Sequence, residues 1–146
     1  FRANKYARLI KKIVMKTKLI LVIINIIIAI VSINCARATE TEKRIKQVSV
    51  QEANETVIKG GIQFVDVRTP EEYQTEHPQG AINIPLDKIE NRISEFATDK
   101  PIYLICRSGR RSQMAAEILD KKGFKSLYNV SGGMLDWSAA GLPTEK

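Results

Sequence analysis

The stretch Ile102-Tyr103-Leu104-Ile105-Cys106-Arg107-Ser108-Gly109-Arg110-Arg111-Ser112 decides the fold. Four consecutive apolar, β-favouring residues predict a strand covered on both faces, because a strand with one wet face alternates polar and apolar residues instead. A short polar loop with a glycine follows. Met114, Ala115, Ile118 and Leu119 then form the apolar face of a helix that ends at Gly123. Strand, tight loop and helix in that order make one unit of a parallel sheet.

The neighbouring segments repeat the arrangement. Ile45–Val48 and Ile62–Val67 predict strands, separated by a helix from about Gln51 to Lys59 that stops at Gly60-Gly61. Thr69-Pro70-Glu71-Glu72 is a helix start, with Thr69 as cap, Pro70 at the first helical position and an acid at the third. Ala81–Ile84 predicts a short strand closed by Pro85. Ile89, Ile93 and Phe96 at helical spacing predict a helix over about Asp87–Phe96. Leu127–Val130 and Met134–Ala140 supply a last strand and a last helix. The sum is an α/β domain, an open parallel sheet of about five strands with helices on both faces.

Charge separates this domain from what precedes it. The chain of 146 residues carries +7, but residues 1–38 hold eight of the 23 Lys and Arg and no acid, leaving 15 basic against 16 acidic groups in 39–146, a net of −1. No general cationic surface remains for nucleic acid. Residues 1–38 read as an N-terminal extension and export signal. Met15-Lys16-Thr17-Lys18 is the basic start, Leu19–Ile33 is apolar except for Asn25 and Ser32, and Ala36-Arg37-Ala38 predicts cleavage after Ala38. Met15 is the expected translation start, and 39–44 a short linker to the domain at 45–146. The expected location is the periplasm or outside the cell. Two alternatives place the protein at the membrane: an uncleaved anchor, although this 15-residue stretch falls short of the roughly 20 residues that span a bilayer, and a lipoprotein acylated at Cys35.

In open parallel sheets, sites form beyond the carboxyl ends of the strands, where Cys106 stands. A loop curling into a helix N-terminus turns N–H groups inward, and the helix dipole adds positive potential. Arg107, Arg110 and Arg111 add three charges within five residues of the sulfur. Such surroundings bring a cysteine from about 8.5 down to roughly 3.5–7.5, which yields thiolate without a neighbouring base. That matters because His77 is the only histidine, and its place before Pro78 predicts a surface or turn residue. A free cysteine ending a strand is often only a core residue. A structural loop, however, has no need to concentrate three like charges beside it. Trp137 reads as a core residue. Asp66 and Arg68, at the end of the preceding strand, either support the loop by hydrogen bonds or place Arg68 on the substrate.

Several motifs, in order, resemble those of the rhodanese family. Asp66-Val67-Arg68-Thr69-Pro70-Glu71-Glu72-Tyr73 is similar to its first signature, and Gly80-Ala81-Ile82-Asn83-Ile84-Pro85 to the segment after it. Cys106–Ser112 is similar to the active-site loop, and Tyr128-Asn129-Val130-Ser131-Gly132-Gly133-Met134-Leu135-Asp136-Trp137 to the closing signature. Glu76-His77-Pro78 departs from the usual Gly-His-Ile. The resemblance implies a rhodanese-like fold and a thiosulfate sulfurtransferase. Cys106 would take the outer sulfur of thiosulfate as a persulfide and pass it to cyanide or a thiol. Arg107, Ser108, Gly109, Arg110, Arg111 and Ser112 would hold the donor, with Arg68 near the substrate and Asp66 supporting the loop. Neither a metal nor an organic cofactor is implied, and the partners are a small sulfur donor and its acceptor.

Two other functions compete. One is a persulfide carrier or anion-binding module with little turnover. The other is a phosphatase or arsenate reductase of related fold. Phosphatase loops place five residues between cysteine and arginine, whereas four separate Cys106 from Arg111, a tighter cradle suited to a single sulfur.

Overall fold

The computed structural model describes residues 15, 16 and 44–146. The expected export signal with its cleavage after Ala38, Cys35, and linker residues 39–43 lie outside the described residues, apart from Met15 and Lys16. The chain divides into units 1–42 and 43–146, and the second holds the sheet.

The apolar run Ile102–Ile105 forms β5, the central strand of a five-stranded parallel sheet. On one side lies β2 (Gln63–Asp66) with β4 (Ile82–Asn83) at the edge; on the other lies β6 (Leu127–Val130) with β1 (Ile45–Val48) at the edge. Register pairs Val65 with Leu104 and Asp66 with Ile105, and Leu104 with Asn129. Successive residues of a strand face opposite ways. Ile102, Leu104 and Val65 therefore join one core layer with Ala115, Ala116 and Leu119, while Tyr103, Ile105 and Phe64 join another with Val50, Ala53, Met134 and Trp137.

Among the described residues of this unit, four α-helices and two short 3₁₀ segments connect the strands. α1 (Val50–Lys59) starts at Ser49, whose hydroxyl accepts the Glu52 N–H, and ends at Gly60, at a φ of +76°. α2 (Pro70–Thr75) carries the expected capping box between Thr69 and Glu72. α3 (Arg110–Lys121) follows β5, and α4 (Gly133–Ala139) follows β6. A two-residue antiparallel pair, β3 (His77–Pro78) with β7 (Thr144–Glu145), fastens the C-terminus to the end of α2.

Three sequence expectations need correction. The helix over Asp87–Phe96 is instead two 3₁₀ segments, Leu86–Lys88 and Glu90–Glu95, with Arg92 at non-helical φ and ψ. The amides of Lys88, Arg92 and Phe96 reach back three residues, to the carbonyls of Pro85, Ile89 and Ile93. Arg92 also sends Nη1 to the Asn83 carbonyl and grips Glu95 with Nε and Nη2. Ile89 and Phe96 are buried all the same, because tighter turns satisfy the same apolar spacing.

Met114 does not line the α3 core face and is 49% exposed. The buried stripe is Ser112, Ala115, Ala116 and Leu119, the i, i+3, i+4, i+7 pattern of one helical face. Third, His77 is buried rather than on the surface. Its ring stacks on Tyr73 at 3.6 Å and its Nδ1 lies 2.8 Å from the Tyr73 carbonyl, while β7 pairs with its backbone.

Candidate active site

β5 delivers Cys106 to the carboxyl edge of the sheet, and Gly109 lets the chain turn into α3. Gly109 has a φ of +87° and is the N-cap of α3, with no side-chain cap of its own. The orphan N–H groups of the first turn are therefore available. A Cβ at Gly109 would stand 3.4 Å from the Val130 carbonyl and from the Gly132 amide, so the loop is pressed against the end of β6. Cys106 is a free thiol and is 1% exposed.

The sulfur is held by donors. Gly109 N–H lies 3.2 Å from Sγ, and the buried Ser112 hydroxyl lies 3.4 Å away. Burial alone pushes this thiol up, but the Ser112 hydroxyl and the N–H groups of Ser112, Ser108 and Gly109 outweigh it and bring Cys106 below its ordinary value. A thiolate that accepts several hydrogen bonds is favoured over the thiol, even where water is scarce. Hydrogen bonds, more than the neighbouring arginines, set this shift.

The inward aim of the Ser108 N–H comes from the other side of the loop. The Cys106 carbonyl accepts the Met134 N–H at 2.8 Å, and the Arg107 carbonyl accepts the Leu135 N–H at 3.1 Å. Both donors belong to the first turn of α4, so that helix start is capped by the loop itself. Gly133, at a φ of +59°, is the residue that allows this closeness: a Cβ there would run into the Cys106 carbonyl and lie 2.7 Å from the Arg107 carbonyl carbon. In a trans peptide the carbonyl and the next N–H point opposite ways, so turning these two carbonyls to α4 turns the Arg107 and Ser108 N–H groups away from it.

The three arginines are placed differently. Arg107 and Arg110 are exposed. Arg111 is half-buried and gives Nη1 and Nη2 to the Glu72 carboxylate, at 2.6 and 2.8 Å. That fork holds the Glu72 carboxyl at about 2; burial opposes it, and the Thr69 N–H and the Arg68 charge assist. Glu72 in turn lifts Arg111 above its ordinary value, with smaller contributions from Cys106 and Asp66.

Arg68 is 7% exposed, with Nε and Nη2 on the Asp66 carboxylate and Nη2 also on the Glu76 carbonyl. Asp66 accepts the Arg68 N–H as well, at 2.9 Å. Asn83 donates to the carbonyls of Asp66 and Arg68. This cluster fixes the turn from β2 into α2, the helix whose capping box holds Glu72.

Sequence reasoning gathered Cys106, Gly109, Arg111 and Ser112 in one place, as the fold does, but missed Glu72, Gly133 and the amides of Met134 and Leu135. Glu72 was visible as a helix cap and as part of the first signature, with no sign of its pairing with Arg111. A Gly132-Gly133 pair at a helix start was the available signal for the close approach. A cleft of about 430 Å³ lies at the opposite end of β5, lined by Lys100, Pro101, Lys122 and Phe124 among others, away from this chemistry. Among the described residues, no group of three or more His, Cys, Asp or Glu is placed to hold a metal ion.

Comparison with known proteins agrees with this geometry. The family description "Rhodanese-like domain" matches residues 49–140. The chain belongs to the rhodanese family. Among curated relatives of this rhodanese, "Putative sulfur carrier protein YrkF" of Bacillus subtilis is 39% identical over 102 residues, 69% of the chain and 55% of that protein. The chain thus spans about half the length of YrkF. "Thiosulfate sulfurtransferase PspE" of Escherichia coli is 45% identical over 71 residues, 47% of the chain and 68% of PspE. The solved rhodanese-like domain protein of Staphylococcus aureus is 31% identical, with a TM-score of 0.61 over 69% of the chain and 99% of that structure.

Proposed function

We propose that this rhodanese is a thiosulfate sulfurtransferase working through a persulfide on Cys106. The observation that carries the reading is the hydrogen-bonded sulfur itself: Sγ receives the Gly109 N–H and the Ser112 hydroxyl and is drawn toward the thiolate. The thiolate attacks the outer sulfur of thiosulfate. A new S–S bond forms to Cys106, the old S–S bond breaks, and its electron pair leaves with sulfite. The persulfide anion is steadied by the same N–H groups and hydroxyl. Cyanide or a thiolate then attacks the terminal sulfur, and the bonding pair returns to Cys106 as the free thiolate. No proton transfer is needed in either half, which suits a site without histidine.

The test is intact-mass measurement after thiosulfate treatment, followed by cyanide. One added sulfur atom, lost again on cyanide and absent in Cys106→Ser, is expected. A second reading, a persulfide carrier with slow turnover on thiosulfate, is favoured by the likeness to YrkF. It is separated by comparing thiocyanate release with transfer to thiol proteins. Phosphate-ester hydrolysis is disfavoured by the short loop and by the engagement of Arg111 with Glu72.

We also propose that residues 1–38 direct export to the periplasm or beyond and are removed. The mass of the mature N-terminus in fractionated cells tests this: Thr39 is the expected first residue, a lipidated Cys35 would indicate a lipoprotein, and an intact Met15 an anchor.

A further inference from the structure

Arg111 presents its two terminal nitrogens to Glu72 side by side. This is the geometry in which a guanidinium grips a phosphate or sulfonate. A fork bonded to a carboxylate in this way is withheld from a second oxyanion unless the pair breaks. Glu72 is not free to follow a moving arginine, because its Oε2 also accepts the Thr69 N–H of the α2 capping box. The arginines found in ion pairs among the described residues are Arg44, Arg68, Arg92 and Arg111. Arg107 and Arg110 are exposed and are the other two cations on the loop.

We propose that Glu72 keeps Arg111 out of oxyanion binding at the Cys106 loop. By holding the Arg111 fork, it leaves the anionic end of a sulfur donor to Arg107 and Arg110. Oxyanions at the loop, inorganic phosphate included, are then bound more weakly than a freed Arg111 would hold them. The benefit is kinetic. A clamp that grips every oxyanion equally would also hold the departing sulfite, and binding shared equally by substrate and transition state does not speed the chemical step. This inference rests on the reading of the loop as a cradle for an anionic donor.

Phosphate itself is the probe, in the full chain, followed by the NMR shifts of the Ser108, Gly109 and Ser112 amides, which need no turnover. Glu72→Gln keeps a capping-box residue while removing the charge that engages Arg111. It should bind phosphate about tenfold more tightly than wild type, the effect of one freed charge-assisted pair at a partly exposed site. Arg111→Lys keeps the charge facing Glu72 and loses only the fork, so it should stay within about twofold of wild type, whereas Arg107→Ala and Arg110→Ala each weaken phosphate severalfold. In Glu72→Gln/Arg111→Ala the gain should disappear.

Unchanged or weaker phosphate binding in Glu72→Gln would overturn the proposal. So would a loss in Arg111→Lys as large as that in Arg107→Ala. If Glu72→Gln does not fold, the comparison of Arg111→Lys with Arg107→Ala decides alone. Absence of a persulfide in the wild-type protein would instead strike the sulfur-transfer reading, and the phosphate titration would still judge the role of Glu72.

Discussion

Replacing Gly133 with alanine strikes the contact that aims the sulfur loop. Gly133 sits at a φ of +59°, and an added Cβ meets the Cys106 carbonyl and the Arg107 carbonyl carbon and oxygen, the last at 2.8 Å. These are backbone atoms that no rotamer change can move. The left-handed conformation costs an alanine about 1–2 kcal/mol. Relieving the clash separates α4 from the loop and weakens the two amide bonds at 2.8 and 3.1 Å, each worth about 0.5–1.5 kcal/mol. The total is about 2–5 kcal/mol, a large part of the roughly 5–15 kcal/mol that holds a typical domain together. Gly141 is the control: its φ is +63°, but nothing lies within 4 Å of the added Cβ. Gly141→Ala should lose only the conformational part, about 1–2 kcal/mol. Urea unfolding of both variants supplies the comparison, with thiosulfate-dependent persulfide formation beside it. Gly133→Ala should be the less stable by about 1–3 kcal/mol and form persulfide more slowly, because the displaced carbonyls turn the amides away from the sulfur. Equal stability of the two variants, with equal rates, would refute the claim that α4 shapes the loop.

The remaining expectations concern the sulfur and the two carboxylates. Ser112→Ala removes a donor that holds the Cys106 thiol below its ordinary value, so the midpoint of its alkylation rate against pH should move up; a midpoint unmoved or lowered contradicts the assignment. Asp66→Asn leaves the buried Arg68 guanidinium without its countercharge and should cost about 3–5 kcal/mol in urea unfolding; a loss under about 1 kcal/mol would mean that Arg68 finds water or another partner. Because the folded-state Glu72 carboxyl lies at about 2 instead of 4.5, its ion pair stabilises the protein above the ordinary value, and that stability fades as pH falls from 4.5 toward 2. With the pair partly exposed, Glu72→Gln should be less stable than wild type by about 1 kcal/mol at pH 6, with the difference vanishing in acid. A difference independent of pH would argue against the pair.

The legible parts of this fold are those fixed by local chemistry. Ile102–Ile105 could hardly be anything but a buried strand, and Thr69-Pro70 with Glu72 carries its own cap. Cys106 was legible as a reactive group because glycine and arginines surround it in sequence. What escaped depends on distant partners. Ile89, Ile93 and Phe96 have a spacing that 3₁₀ turns serve as well as an α-helix, and Arg92, at non-helical φ and ψ, reaches across to the Asn83 carbonyl. Burial of His77 comes from Tyr73 and from the C-terminal strand, where Glu145 stands opposite it. Ser112 was legible as a loop residue, but not its burial on the core face of α3, where an apolar pattern does not place a serine. The engagement of Arg111 with Glu72 joins residues 39 apart, so the chain read locally shows three equivalent arginines where the fold makes one of them different.

Intact mass of the full chain before and after thiosulfate tests sulfur transfer through Cys106 most directly. The predicted result is one added sulfur atom on the wild-type protein, located at Cys106, removed by cyanide with release of thiocyanate, and absent in Cys106→Ser. An unmodified wild-type protein, or a gain of sulfur that survives Cys106→Ser, would contradict it.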